Sequence, residues 1–230
     1  MPPYLNNFNN FNNQRSHDKI DLRYYTLIEF ARKIANKLDY ELINYIDSGS
    51  YGAAFKISKF RVLKLTTDVS EVYTAKMLID KKPEHIVNYY DVKKIECIYL
   101  DTDLWVLIMD YVFSVRDGDP KNKLFFEFFN FNFGEKEDFY KNIFNEDYIQ
   151  QFIEKYKNYS KENSISDSKI SKNFQELKKL SIEADDLGIY PLDVHSGNLG
   201  YKFVDTNLVY FDVGVNKNYK IVPIEKIIIN

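Results

Sequence analysis

The chain has 230 residues, enough for one sizeable domain or two small lobes, and its 45% hydrophobic and 28% charged residues are ordinary for a soluble globular protein. A net charge of −3 argues against a broad nucleic-acid-binding surface, which needs clustered basic residues. No apolar run approaches the roughly 20 residues of a membrane span, and the single cysteine, Cys97, cannot form an internal disulfide. We therefore expect a cytoplasmic protein with no membrane or nucleic-acid partner.

The N-terminal segment combines a low-complexity stretch with a helix. Residues 1–18 interleave asparagines with Phe8 and Phe11 without helical or strand period, which predicts a flexible tail. From Asp21 to Leu38 the apolar residues recur at helical spacing, which predicts an amphipathic helix that packs on the next part of the chain.

Short runs of β-branched and aromatic residues dominate the chain up to residue 112. One helical segment, Val69–Asp80, interrupts them. This order predicts a five-stranded antiparallel sheet with one helix, within an α+β fold. The predicted strands are Tyr40–Ile46, Ala53–Ile57, Arg61–Leu65, Val87–Ile95 and Leu104–Val112.

The second half of the chain is predicted to be mostly helical, with a short β-hairpin and a short tail at its end. An aromatic block at Leu124–Phe133 is most simply core, although it could form a partner surface. The predicted elements are helices at Tyr148–Tyr159 and Phe174–Leu187, a loop at Ser160–Lys172 between them, and strands at Gly200–Val204 and Leu208–Phe211.

Gly49 and Gly52 lie between the first two predicted strands, with Tyr51 at the tip. Two glycines in a hairpin let the backbone approach a bound group and point N–H donors at it, which suits polyphosphate. The same pattern is also that of an ordinary turn.

Lys64 alternates with apolar neighbours on the third predicted strand. Such a lysine lies either on the solvent face or inward beside an anion. Glu71, at the start of the following helix, could supply that charge because it precedes the packing stripe of Val72, Ala75 and Leu78. A solvated lysine and a solvated glutamate are the alternative.

The segment from Gly188 to Gly200 contains Asp193, His195 and Asn198. A carboxylate, a histidine two residues on and an amide five residues on would place a base and metal-ligand oxygens near one point. Asp212 ends the apolar run Leu208–Phe211, where an acidic residue is costly unless it is paired or bound to a cation.

Together these motifs resemble, in order, those of the protein-kinase-like superfamily, over residues 40–214. Gly49, Ser50, Tyr51 and Gly52 resemble the glycine-rich loop, and Lys64 and Glu71 the paired lysine and glutamate of the N-lobe. Leu107–Val112 resembles the strand that runs into the hinge. Asp193, His195 and Asn198 resemble the catalytic loop, in the form seen in small-molecule kinases, and Asp212-Val213-Gly214 resembles the D-F-G motif.

The resemblance implies a bilobal kinase that uses ATP and Mg²⁺. Lys64, oriented by Glu71, would bind the phosphates under the glycine loop, with Met109 at the gatekeeper position and the backbone of Asp110, Tyr111 and Val112 facing adenine. Asn198 and Asp212 would hold magnesium. Asp193 would orient and deprotonate a hydroxyl acceptor, expected to be a serine or threonine of a protein, and His195 would contact the γ-phosphate or make a structural bond. The implied division is a tail at 1–18, an N-terminal helix plus N-lobe at 19–112, and a reduced C-lobe at 113–230.

Departures from the family pattern keep other functions open. Asp47 replaces the first loop glycine and would place a negative charge near the phosphates, and no A-P-E motif follows Gly214. A pseudokinase that binds nucleotide or a partner without turnover is one alternative. An AMP-transferase that uses the same residues is the other.

Overall fold

The computed structural model describes residues 22–49, 51–97, 103–133, 142–189, 196–202, 207–211, 213 and 223–229, which form an α+β protein. The chain divides into two compact units, the first within Met1–Lys82, Asn88–Tyr111 and Tyr219–Asn230, the second within Pro83–Val87 and Val112–Asn218. None of the helices in these described ranges is long and apolar enough to cross a membrane. In chain order the elements are α1 (Leu22–Lys37), β1 (Asn44–Ser48), β2 (Gly52–Lys56), β3 (Arg61–Thr66), α2 (Val69–Leu78), β4 (Tyr89–Glu96), β5 (Leu104–Asp110), β6 (Val112–Ser114), α3 (Pro120–Phe133), α4 (Glu146–Ser160), α5 (Asp167–Asp186), β7 (Leu199–Lys202), β8 (Leu208–Tyr210) and β9 (Glu225–Ile228).

In its described residues the first unit contains a six-stranded sheet with strand order β1-β2-β3-β5-β4-β9. One face buries the apolar side of α1, where Ala31, Ile34 and Ala35 are fully buried against alternate residues of the strands. The opposite face packs against α2, which contacts β4 and β5. Because β5 is covered on both faces, Leu104–Met109 is a continuous buried run rather than an alternating one.

The prediction of five antiparallel strands was wrong in one respect, because the sheet has a sixth strand and is mixed. β9 pairs with β4 in parallel, from Lys93 opposite Glu225 to Glu96 opposite Ile228. The sequence suggested only a short tail here, because a four-residue strand carries too little pattern to identify. Its stability comes from a partner far away in the chain and from burial of Ile227 and Ile229 in the core.

The second unit has a small three-stranded sheet, in the order β6-β7-β8, and three helices among its described residues. Aromatic rings join the helices, because Phe125 of α3 lies 5.7 Å from Phe152, 5.4 Å from Tyr156 and 5.8 Å from Phe174, centroid to centroid. Phe125, Phe126 and Phe129 are fully buried, so these three members of the aromatic block belong to the core.

Two further predicted boundaries were wrong. α5 begins at Asp167, inside the predicted loop, because the Ser166 hydroxyl caps it by accepting the Lys169 N–H and because Ile170 is buried. The predicted strand Leu104–Val112 ends at Asp110, and Val112 begins β6, which pairs with β7 of the second unit.

The role of β9 can be tested with neighbouring isoleucines. Ile227→Ala should lower the free energy of unfolding by about 2 kcal/mol, because it leaves a cavity in the core. Ile228 is 61% exposed, so Ile228→Ala should change it by less than about 0.5 kcal/mol. Urea unfolding of both variants makes the measurement, and equal losses would contradict the assignment of β9 to this core.

Candidate active site

The glycine hairpin joins β1 to β2. The Gly49 N–H donates to the Gly52 carbonyl at 2.9 Å, and the Tyr51 carbonyl accepts the Thr67 N–H at 2.8 Å and the Thr67 hydroxyl at 3.2 Å. The Tyr51 side chain is 64% exposed. Ser50 lies outside the described residues. The hairpin is therefore tied to the residue that follows β3.

Close packing explains one of the two glycines and not the other. A Cβ on Gly52 would lie 2.0 Å from the Leu65 carbonyl oxygen, so this glycine is required by the close approach of β3. A Cβ on Gly49 would meet no described atom within 4 Å, so packing does not explain that glycine.

Asp47 has a local partner. Its carboxylate accepts the Ser48 N–H at 2.8 Å, at an irregularity of the β1–β2 pairing between Tyr45 and Asp47. This bond gives Asp47 a role in shaping the strand, apart from its charge.

Lys64 and Glu71 form an ion pair, with Nζ 2.6 Å from Oε1. The strand alternation that buries Leu63 and Leu65 under α1 turns Lys64 to the α2 face. The Lys64 side chain is 20% exposed and that of Glu71 only 2%. A carboxylate buried to this extent needs charged and hydrogen-bonding partners to remain ionised.

Thr66 and Asp68 hold Glu71 in this orientation. The Thr66 hydroxyl donates to Glu71 Oε2 at 3.1 Å and accepts the Asp68 N–H at 3.1 Å. The Asp68 carboxylate caps α2 by accepting the N–H groups of Ser70 and Glu71. In a capping box the glutamate would itself accept the cap residue's N–H. Thr66 takes that bond here, so the Glu71 carboxylate faces Lys64.

Sequence reasoning missed Thr66, Ala54 and Val62. In the antiparallel register Lys64 lies opposite Ala54 on β2 and Leu107 on β5, and Val62 lies opposite Met109. Directly opposite residues point to the same side of a sheet. Residues two positions before and after Lys64 could have been identified from strand period alone, but Ala54 required the register.

The segment from Met109 to Tyr111 is fixed by bonds within the first unit. Met109 is buried, the Asp110 N–H donates to the Asn88 carbonyl at 3.0 Å, and the Tyr111 N–H donates to the Phe60 carbonyl at 2.9 Å. Two N–H groups of the segment predicted to face adenine are thus already engaged.

The Asp110 carboxylate is the centre of a polar cluster. It accepts hydrogen bonds from Arg61 at 2.9 Å, Asn88 at 3.0 Å and the Tyr90 hydroxyl at 2.8 Å. The Arg61 guanidinium lies 3.5 Å from the centre of the Tyr90 ring. Partial burial, together with the bond to Asp110, raises the pKa of Tyr90 to about 12.

In the second unit the structure describes Ser196 and Asn198, whereas Asp193, His195 and Asp212 lie outside the described residues. The Ser196 carbonyl accepts the Arg116 N–H and the Ser114 hydroxyl, both at 3.0 Å. The Asn198 carbonyl accepts the Phe211 N–H at 3.1 Å, and Phe211 is the residue before Asp212 in the sequence. Within the described ranges no three His, Cys, Asp or Glu side chains form a group that could hold a metal ion. Asn198 supplies the kind of oxygen donor that Mg²⁺ prefers.

No family model and no curated protein matches the sequence. Among solved structures, the chain is similar to the ternary complex of APH(2")-IIa with streptomycin and ATP. The identity is 11% over 85% of this chain and 71% of that chain, and the TM-score is 0.28. A likeness this weak does not establish a common fold, and the assignment of a function depends on the chain's own residues.

The two glycines provide a matched pair of variants. Gly52→Ala should lower the free energy of unfolding by about 1–3 kcal/mol, because its methyl group overlaps the Leu65 carbonyl. Gly49→Ala should fold with nearly parental stability. If phosphates approach the hairpin, calorimetry should show weaker ATP binding for Gly49→Ala. Parental ATP affinity in this variant would mean that the hairpin is an ordinary turn.

The Asp110 cluster makes a prediction about pH. Because the folded chain holds the Tyr90 proton more tightly than the unfolded chain, the resulting stability is present below about pH 10 and is lost as the pH rises toward 12. Asp110→Asn should lower the pKa of Tyr90. The measurement is tyrosinate absorbance, and the contribution of Tyr90 is the difference between each protein and the same protein carrying Tyr90→Phe. The matched control, Asp91→Asn, changes a carboxylate bonded to the Val92 N–H and should leave the titration unaltered.

Proposed function

We propose that the chain is an ATP- and magnesium-dependent phosphotransferase with a bilobal, protein-kinase-like fold. The observation that carries the proposal is the Lys64–Glu71 ion pair, on the sheet face that faces α2 and next to the glycine hairpin in the β2–β3 register. In this proposal residues 1–18 are a flexible tail, 19–112 form the helix and N-lobe, and 113–230 form a reduced C-lobe.

Lys64 would bind the phosphates of ATP. A fifth of its side chain is exposed while Glu71 is almost completely buried, so a polyphosphate could reach the ammonium from the solvent side. Glu71, fixed by Thr66, would hold the ammonium from the protein side. A preoriented cation of this kind stabilises charge on the transferring phosphoryl group without reorganisation.

The adenine base would lie near the apolar residues Ala54, Val62 and Met109. Their register on the Lys64 face of the sheet supports this placement. The N–H groups of Asp110 and Tyr111 are engaged within the unit. We therefore expect the base to contact the segment from Asp110 to Val112 through its carbonyl groups.

Asn198 and Asp212 would hold Mg²⁺, which when bound neutralises charge on the phosphate oxygens. The hydrogen bond between the Asn198 carbonyl and Phe211 supports this pairing. Asp193 would orient the acceptor hydroxyl and accept its proton. His195 would contact the γ-phosphate or make a structural bond in its loop. The expectation of a serine or threonine acceptor gains no support from the described residues, so the proposal extends only to a hydroxyl-bearing acceptor.

Three variants test the proposal by separating nucleotide binding from transfer. Lys64→Ala should weaken ATP binding about ten- to a hundredfold, the loss expected for a charged hydrogen bond. Asp212→Ala should lose magnesium-dependent binding and transfer. Asp193→Ala should keep ATP affinity within a few-fold and lose most transfer. Calorimetry and incubation with γ-labelled ATP, with and without a cell lysate as acceptor, make the measurements.

Lys93→Ala is the matched control for Lys64→Ala. Lys93 is also a strand lysine paired with a carboxylate, Glu225, but it lies opposite Val106, whose side chain is in the α1 core. Its removal should not change ATP affinity. Transfer of AMP by the parent protein would identify it as an AMP-transferase. ATP binding without transfer to any acceptor would identify it as a pseudokinase. No ATP binding by the parent at millimolar magnesium would refute all three.

A further inference from the structure

β8 leads directly into Phe211 and Asp212, and it has a partner on each side. On one side it pairs with β7. On the other, residues His85–Val87 run alongside it, with the Tyr210 N–H donating to the His85 carbonyl at 2.9 Å and the Val87 N–H donating to the Tyr210 carbonyl at 3.0 Å. A non-repetitive segment therefore lies where a fourth strand of this sheet would pair with β8.

Side chains from α5 and β7 fix the position of that segment. The Glu183 carboxylate accepts the N–H groups of Glu84, at 2.7 Å, and His85. The Lys202 ammonium donates to the carbonyls of Pro83 at 3.0 Å and Glu84 at 3.3 Å. Charged groups thus satisfy backbone atoms that a regular strand would bond within a sheet.

His85 and Glu176 together bind the start of β8. The Leu208 N–H donates to Glu176 Oε2 at 3.2 Å, and His85 Nδ1–H donates to the Leu208 carbonyl at 3.0 Å. Glu176 Oε2 lies 3.9 Å from His85 Nδ1. Both residues are buried. Buried polar groups of this kind must be satisfied, so displacing β8 would be costly because it would break both of these hydrogen bonds.

The charge of Glu176 is maintained in this environment. Burial favours its neutral form, but hydrogen bonds from Lys179 and the Leu208 N–H outweigh burial and hold the pKa of this carboxyl below its usual range. The Leu208 N–H therefore donates to an ionised acceptor, which makes a stronger bond than a neutral one.

We propose that His85 and Glu176 are positioning residues that hold β8 in register, so that Phe211, the residue before Asp212 in the sequence, lies beside Asn198. The inference rests on the proposed function, in which Asn198 and Asp212 hold magnesium. The described contact that joins the end of β8 to Asn198 is the hydrogen bond from the Phe211 N–H to the Asn198 backbone carbonyl. His85 and Glu176 act through β8 and need no contact with the metal or the nucleotide.

The test uses paired substitutions in the full chain. His85→Phe keeps a ring but removes the donor, whereas His85→Asn keeps a donor near the position of Nδ1. Glu176→Met keeps the side-chain length but removes the acceptor, whereas Glu176→Gln keeps an acceptor for the Leu208 N–H. Phe129→Leu, in the buried aromatic core of the second unit, is the control for a general loss of stability.

The first measurement is amide hydrogen exchange in the protein without metal or nucleotide. His85→Phe and Glu176→Met should accelerate exchange about tenfold or more over Leu208–Phe211, the expectation for a lost buried hydrogen bond. His85→Asn and Glu176→Gln should restore most of the protection. Phe129→Leu should accelerate exchange in the helices instead.

The second measurement is the magnesium concentration that gives half-maximal phosphate transfer. It should rise about tenfold or more in His85→Phe and Glu176→Met, and should stay at the parental value in Phe129→Leu. If His85→Phe and Glu176→Met leave exchange over Leu208–Phe211 unaltered, or remain active with an unaltered magnesium requirement, this inference is overturned and the proposed function is not. A parent protein that neither binds magnesium–ATP nor transfers phosphate would overturn the proposed function, and with it this inference.

Discussion

The first unit depends on the need to bury the Glu71 carboxylate without leaving it unpaired. Its position at the start of α2 turns it toward the sheet, and there it can keep its charge only if Lys64 and Thr66 meet it. The ion pair therefore ties the first turn of α2 to β3. The same requirement leaves Lys64 as a preoriented cation that is still accessible to solvent.

Hydrophobic packing surrounds the Lys64–Glu71 ion pair and supports the sheet on which Lys64 lies. β5 is buried on both faces because α1 covers one and α2 lies on the other, so apolar side chains pack closely at the centre of the sheet. Further polar groups lie at the glycine hairpin and in the cluster around Asp110. A charge pair supported in this way keeps its geometry before any ligand arrives, which is what electrostatic catalysis requires.

In the second unit, side chains bond backbone groups that a neighbouring strand would bond in a larger sheet. Among the described residues its sheet has three short strands. His85 and Glu176 bond the backbone of β8 at Leu208, and Glu183 bonds the backbone of the segment beside it. A second buried network joins α3, α5 and β7, where Asn122 accepts from Asn173 at 2.9 Å and donates to the Tyr201 hydroxyl at 3.0 Å. Such networks favour one arrangement strongly, because any other leaves polar groups buried without partners.

Features that depend on neighbours along the chain were predictable from the amino-acid sequence. Strand period turned Lys64 away from Leu63 and Leu65, helical period placed Glu71 beside the packing stripe of α2, and helical spacing located α4 and most of α5. The assignments of Asp193, His195 and Asp212 remain predictions from spacing and resemblance. Three features became evident only in the folded structure: the sixth strand, the role of Thr66 beside Glu71, and the bonds of Glu176 and His85 to Leu208. Those contacts join residues that are distant in sequence or share no period, so their free energy exists only once the chain is folded and leaves no local pattern to identify.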